Sequence, residues 1–264
     1  MLIFIKLGGS LITDKRQERA FRADEMTRLA QEVATARNNN PDLNLLIGHG
    51  SGSFGHVAAS KHGTMQGVST TEQWRGFAEV ALTAADLNFR VATALFEAGV
   101  PVLGVQPSAS ARCEDGGLLI MNIYSIKAAL THGLVPLIYG DVAFDDDRGG
   151  TIISTETVMS YVAEDVPVNQ ILLLGEVEGV LDTDGTLIPE ITPQNIRTYA
   201  DALGGSAGTD VTGGMYTKVQ DMLKLVMSLS GLTIRIFDGR EPGLLQATLN
   251  GEAQPGTLIH YPQY

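Results

Sequence analysis

The residues best suited to chemistry are a few lysines beside glycine-rich turns. The segment Lys6-Leu7-Gly8-Gly9-Ser10, followed by Thr13-Asp14-Lys15, places two ammonium groups around a glycine pair and a serine. A cation and bare backbone N–H groups at one turn suit a phosphate. Taken alone, an ordinary glycine turn after a strand-end lysine explains this segment equally well. A second segment, Gly48-His49-Gly50-Ser51-Gly52-Ser53-Phe54-Gly55-His56, holds four glycines in eight residues after an apolar run, which turn formation alone does not explain. Gly50, Gly52 and Gly55 fit GxGxxG. The dinucleotide reading of that pattern requires an acidic residue closing the next strand, and here a polar stretch and then a helical one follow instead. Phosphate cradling by N–H groups remains. His56, near the start of the next helix, is placed to donate to an acceptor anion, whereas His49 reads as structural.

Three further segments follow the same logic. Gly140-Asp141 ends a buried run, and a carboxylate there orients the lysines or organises magnesium through water. The nearby Asp145-Asp146-Asp147 reads as a solvated turn rather than a metal site. Gly175-Glu176-Val177-Glu178-Gly179 follows another apolar run and suits either a nucleotide cover or a β-turn. Asp210-Val211-Thr212-Gly213-Gly214 opens a helix, with Lys218 one turn in, and makes an anion site. No GxxxxGK[ST] loop occurs, nor the HRD and DFG pair of protein kinases. No His/Cys/Asp group has zinc spacing, and the one cysteine, Cys113, excludes an internal disulfide.

The elements that must position these residues alternate between strand and helix patterns, which predicts an α/β fold with a mostly parallel sheet. Strands are expected over 2–7, 43–47, 100–105, 135–139, 170–174 and 232–237. Helices are expected over 24–37, with Asp24 as its cap, and over 70–98, 125–132, 155–163 and 215–229. Several strands end in Gly or Gly-Asp, where ligands bind in open parallel sheets. The stretch from Asp182 to Gly214, rich in Pro, Gly, Thr and Asp, reads as a hairpin plus a mobile loop. The chain of 264 residues suits one large domain or two closely joined lobes. Its formal charge of −12 opposes binding to a nucleic-acid backbone. No apolar stretch approaches the ~18 residues that span a bilayer, and the N-terminal run is too short for a signal segment. A cytoplasmic protein is expected.

In order and spacing the segments resemble the amino acid kinase family, and within it the isopentenyl phosphate kinases. The resemblance covers nearly the whole chain. It rests on KLGGSLITDK (6–15), GHGSGSFGH (48–56), YGDVAFDDDRGGTIISTE (139–156) and DVTGGMYTKV (210–219). It implies a three-layer αβα sandwich forming one domain, with an acceptor-binding lobe over about 1–165 and a nucleotide-binding lobe over about 166–264. It implies ATP and Mg2+ as cofactors and a homodimer. By resemblance, Lys6 contacts the transferred phosphoryl group, and Lys15 stabilises its charge. Gly8, Gly9 and Ser10 line the phosphate end of ATP. Ser51 and Gly52 turn N–H groups toward both substrates, with Gly55 alongside. His56 holds the acceptor phosphate, and Gly150 and Ser154 border the acceptor. Glu176, Gly213, Gly214 and Lys218 lie on the nucleotide side. Two departures stand out: Ser51 where relatives often carry glycine, and Glu176 and Glu178 where they usually carry aspartate.

The reaction this implies is in-line transfer of the ATP γ-phosphoryl to isopentenyl phosphate, an acceptor already anionic, so the work is positioning and charge stabilisation. Phe77, Ala78, Ala81 and Leu82 share a helical face suited to an apolar tail, although such a stripe is more often plain core. Alternatives are a kinase for a phosphonate such as fosfomycin, an amino acid kinase for glutamate or aspartate, which His56 opposes, and a non-catalytic nucleotide sensor, which would be expected to lose the phosphate-facing lysines.

Overall fold

The computed structural model of the protein describes residues 1–200 and 215–262. In chain order the strands are β1 (Leu2–Leu7), β2 (Asn44–His49), β3 (Val102–Gly104), β4 (Arg112–Glu114), β5 (Gly117–Ile120), β6 (Val135–Tyr139), β7 (Asp141–Asp145), β8 (Gly149–Ile153), β9 (Gln170–Gly175), β10 (Glu190–Ile191), β11 (Thr233–Asp238) and β12 (Thr257–His260). The helices are α1 (Gly9–Ile12), α2 (Ala23–Asn39), α3 (Gly52–His62), α4 (Thr71–Glu97), α5 (Tyr124–Thr131), α6 (Thr155–Ala163), α7 (Met215–Ser228) and α8 (Leu244–Leu249).

Eight strands form the central sheet in the order β10-β12-β11-β9-β1-β2-β6-β3. Among the described residues of this sheet, only β11 and β12 pair antiparallel. Successive side chains of a strand point to opposite faces, and β1 shows the consequence. Ile3, Ile5 and Leu7 join one core layer with Met26 and Leu29 of α2, Leu87 and Val91 of α4, and Leu245 of α8. Leu2 and Phe4 join the other layer with Ile126 of α5, Val158 and Met159 of α6, and Val219 and Leu223 of α7. The result is a three-layer αβα sandwich. Lys6 belongs to the Phe4 face, the side on which α6 packs.

A second sheet, β5-β4-β7-β8, lies outside this sandwich. The sequence pattern does not anticipate it, because its strands are only three to five residues long. Val142 of β7 packs with Ala58 of α3 and with Val68, Phe77 and Val80 in a small third cluster. The long helix α4 begins where expected, at a reciprocal cap. The Thr70 side chain accepts from the Gln73 N–H at 3.2 Å, and the Gln73 side chain accepts from the Thr70 N–H at 3.0 Å. Asp24 is not a cap: Arg22 holds that position, and Asp24 sits in the first turn of α2. Between Asp182 and Tyr199 the chain forms a tight turn bridged by Leu181 and Leu187, then β10 and a short 3-10 turn. The remainder of the expected loop lies outside the described residues.

Candidate functional site

Because β11, β9, β1, β2 and β6 run parallel, the turns after them line one edge of the sheet. Gly8 to Ser10 follow β1, Gly50 to Gly52 follow β2, Glu176 follows β9, and Gly239 and Arg240 follow β11. The first two turns interlock. A Cβ on Gly9 would collide with the backbone of Gly52, coming within 2.7 Å of its Cα. Gly52 itself has φ +48°, a conformation that glycine adopts without penalty, and a Cβ there would overlap Thr13 Oγ1. Thr13 is fully buried and joins the turns: its hydroxyl donates to Gly9 O at 2.7 Å and accepts from Ser53 N–H at 3.0 Å.

The glycines divide between packing and presentation. The Gly8 N–H donates to Leu174 O at 2.7 Å, and the Gly50 N–H to Leu7 O at 3.0 Å, so neither faces a ligand. The Gly55 N–H donates to Ser51 O, and a Cβ on Gly55 would strike the Ser51 side chain. Gly55 is therefore a spacer. The groups left for an anion are the opening N–H donors of α1 at Gly9 and Ser10 and those at Ser51 and Gly52 beside the start of α3. Helix-opening donors have no intrahelical acceptor. Ser51 sits at φ −73°, ψ −16°, an ordinary right-handed conformation that a serine adopts without strain.

Lys6 Nζ pairs with Glu156 Oε1 at 2.8 Å. The sequence reading missed Glu156, yet the fold makes room for it. Gly48 pairs with Lys6 across β1 and β2, and a Cβ on Gly48 would lie 2.7 Å from both Met159 Cε and Thr155 Cγ2. The absent side chain lets the first turn of α6 approach the sheet beside Lys6. Thr155, buried, adds a hydroxyl bond to His49 O at 2.6 Å. The available signal was an acidic residue two positions after a Ser N-cap, in a segment already noted for its glycines. Ser154 caps α6, its hydroxyl accepting from the Thr157 N–H at 3.0 Å, and it stays exposed beside Glu156.

Charge gathers around these turns. The Glu156 carboxyl lies below its usual range: burial pushes it up, but Lys6 and then Lys218 hold it down. His56, on the exposed face of α3, has its pKa lowered by desolvation first and then by the positive charges of Lys15, Lys218 and Lys6, with Glu156 opposing. Five groups, Lys6, Lys15, His56, Glu156 and Lys218, separated by up to 212 positions, thus share one field. His49 plays a different part. It is wholly buried, stacked on Tyr139 at 5.7 Å, and bonded to Gly50 O and Asn88. Burial drives its pKa down to about 4.

Two expectations change. Asp141 does not orient the lysines. It is buried in β7, where Oδ2 accepts from the Ser108 N–H at 3.1 Å and Oδ1 from the Val142 N–H at 2.8 Å; burial raises its pKa. Asp145 is buried rather than solvated, accepting from the N–H groups of Gly116, Asp147 and Arg148. Asp146 pairs with Arg112 at 2.6 Å. Among the described residues, no group of three or more His, Cys, Asp or Glu side chains could hold a metal ion. Glu176 directs its carboxylate to Arg22 at 2.8 Å, and its carbonyl accepts from Arg240 at 2.8 Å. The side chain thereby ties the loop to the start of α2. Gly150 faces Phe77, whose ring atoms lie 2.8 and 2.9 Å from the position of a Cβ. Gly213 and Gly214 lie outside the described residues, while Lys218 is exposed on α7.

The sheet order, the lysines and the paired glycine turns bring cationic side chains and open N–H donors together at one edge of the sheet. The model of the amino acid kinase family matches residues 1–238, and the chain belongs to that family. Within it, the chain is 36% identical over 258 residues to isopentenyl phosphate kinase of Haloferax volcanii, covering 98% of each chain. It is 32% identical over 268 residues to isopentenyl phosphate kinase of Methanothermobacter thermautotrophicus, again covering 98% of both. A solved structure described as "X-ray structures of isopentenyl phosphate kinase" matches with a TM-score of 0.82 at 29% identity, covering 98% of this chain and 100% of the other. Carbamate kinase from Giardia lamblia, 12% identical with a TM-score of 0.71, shares the fold.

Proposed function

We propose that the protein transfers the γ-phosphoryl group of ATP to the phosphate of isopentenyl phosphate, giving isopentenyl diphosphate and ADP. The observation that carries this is the convergence of Lys6, Lys15, Lys218 and His56 on the two interlocked glycine turns. An acceptor-phosphate oxygen forms a bond to the γ-phosphorus as the bond from that phosphorus to the β,γ-bridging oxygen breaks. The electron pair leaves on ADP. The acceptor is already an anion, so no general base is required, and the barrier lies in bringing two polyanions together.

Each residue serves that task. The N–H groups of Gly9 and Ser10 face the nucleotide phosphates, and those of Ser51 and Gly52 face the transferring group. Lys6, held by Glu156, and Lys218 neutralise charge developing on it. Lys15 helps stabilise the charge of the transferring group, and His56 holds the acceptor phosphate. Gly150, with Phe77 behind it, borders the start of the apolar tail. The N-terminal portion, to about residue 165, takes the acceptor, and the remainder takes the nucleotide. Magnesium fits as an ion carried on ATP phosphates and water, the usual mode for this small cation. The described side chains supply no cage of their own. The enzyme acts as a homodimer in the cytoplasm.

Phosphonate phosphorylation, as with fosfomycin, is the second reading. It shares the lysines and His56, and the 149–156 segment favours the isoprenoid acceptor. ADP release from Mg-ATP, compared for isopentenyl phosphate and fosfomycin at equal concentration, tests both. Preference for the former with diphosphate product supports the proposal. Preference for fosfomycin replaces the substrate, and silence with both acceptors favours a nucleotide sensor.

A further inference from the structure

Along α2 and the residue before it, Arg22, Glu25, Arg28 and Glu32 recur at spacings of three, three and four, which places them on one side of the helix. Glu32 is buried, pairs with Arg28, and accepts from the Gly243 N–H at 3.0 Å and the Gln246 N–H at 3.2 Å. Arg28 donates to Gly239 O at 2.6 Å, and the Gly239 N–H donates to Gly175 O at 2.9 Å. The turn after β11 is thus fixed through backbone atoms. The turn after β9 is held differently. Among the described residues, the hydrogen bonds of 176–179 all end on Glu176: Arg22 donates to its carboxylate at 2.8 Å and Arg240 to its carbonyl at 2.8 Å. Arg22 starts from a fixed point. Its own N–H donates to Ile12 O at 2.9 Å, closing the hairpin in which Thr13 bridges Phe21 and which carries Lys15.

We propose that Arg22 and Glu176 are a positioning pair for the nucleotide. Their contact orders the turn after β9 before ATP arrives and sets it against the hairpin that carries Lys15. The inference rests on the ATP reading above and deepens it. A short turn with no backbone bonds of its own samples many shapes, and ordering it on binding costs affinity. Tying its first residue to a fixed guanidinium removes much of that cost beforehand. The charges of the pair cancel, so as a unit it neither attracts nor repels the phosphates, and neither side chain touches ATP. With 33% and 31% of the side chains exposed, the pair adds little to global stability. Its effect falls on the turn, which has few other restraints.

Isothermal titration calorimetry of Mg-ATP without acceptor tests this on the wild type, Arg22→Met, Glu176→Gln, the double variant and Arg112→Met, each well below its thermal melt. Each single change at the pair is expected to weaken ATP binding roughly 3–10-fold, the scale of a partly screened, charge-assisted hydrogen bond. The double variant is expected to bind no worse than either single one, because both remove the same contact. In steady state, KM for ATP should rise while kcat holds, the mark of lost uniform binding. Arg112→Met removes the cation of a surface pair with Asp146 on the second sheet and is expected to leave ATP binding unchanged. Opposite signs, with Arg22→Met weakening and Glu176→Gln tightening, would mean that bare charge acts on the phosphates and would overturn the pair. So would a loss confined to Glu176→Gln, which would make that carboxylate a nucleotide contact, or an equal loss in Arg112→Met. A wild type that binds no ATP overturns the ATP reading and this inference with it. A wild type that binds ATP no more tightly than both single variants overturns the positioning pair alone.

Discussion

Removing the charge of Glu156 separates positioning from binding. In Glu156→Gln, the bond from Lys6 Nζ, 2.8 Å in the native protein, loses its charge assistance. Hydrogen bonds to a charged group are worth about 1.5–3 kcal/mol. Both partners are partly shielded, Lys6 with 17% and Glu156 with 34% of the side chain exposed, so solvent screens the pair only in part. The ammonium then chooses among rotamers instead of one. If that energy is spent in the transition state, kcat falls roughly 10–150-fold, at about 1.36 kcal/mol per factor of ten. Binding should move the other way. Glu156 is a negative charge facing Lys6, Lys218 and His56, so its loss makes the site more positive toward both polyanionic substrates. KM for ATP and for the acceptor should stay level or fall. Steady-state kinetics with both substrates varied, beside a thermal melt, reads this split. An unchanged kcat, or a KM that rises tenfold while kcat holds, would refute the positioning role.

Three other outcomes follow from the geometry. His56→Ala should lower kcat/KM for the acceptor by about 2–4 kcal/mol in the barrier, the scale of a lost oxyanion donor. In the wild type, NMR titration of the His56 ring should give a pKa below that of a free imidazole, rising when the acceptor phosphate binds; an equal pKa in both states would remove the contact. Gly9→Ala should force the two glycine turns apart, since its Cβ would meet the Gly52 backbone. The expected result is loss of most activity with a stability cost of about 1–3 kcal/mol, read by ADP release and urea unfolding. Finally, the His49 pKa falls on folding from 6.5 to about 4. The folded state therefore disfavours protonation, so this stability is complete above pH 6.5 and is lost as pH falls toward 4. The difference is about 3 kcal/mol. Urea titrations of wild type and His49→Gln at pH 7 and pH 4 should show that the variant loses this part of the acid sensitivity.

The sequence by itself determined the α/β class with a mostly parallel sheet, because buried parallel strands are short continuous apolar runs and their helices carry a 3.6-residue period. β6 and α6 fall on the expected residues, and Lys6, Lys15, His56 and Lys218 were singled out from their glycine contexts. Local pattern also located both interlocking turns. It did not say which glycine does what. Gly48, Gly50 and Gly55 look alike in the sequence, yet one admits α6, one bonds to β1 and one makes room for a serine. Nor did it find Glu156 or Thr13. Their roles depend on atoms supplied by β1, α1 and α3, brought near only once the sheet is assembled. Asp141 shows the converse: its place after a strand suggested a functional carboxylate, and the N–H groups of Ser108 and Val142 instead satisfy it. Apolar period and glycine density are carried by neighbours in the chain, whereas the partner of a polar side chain is a three-dimensional fact, and only the tertiary structure decided it.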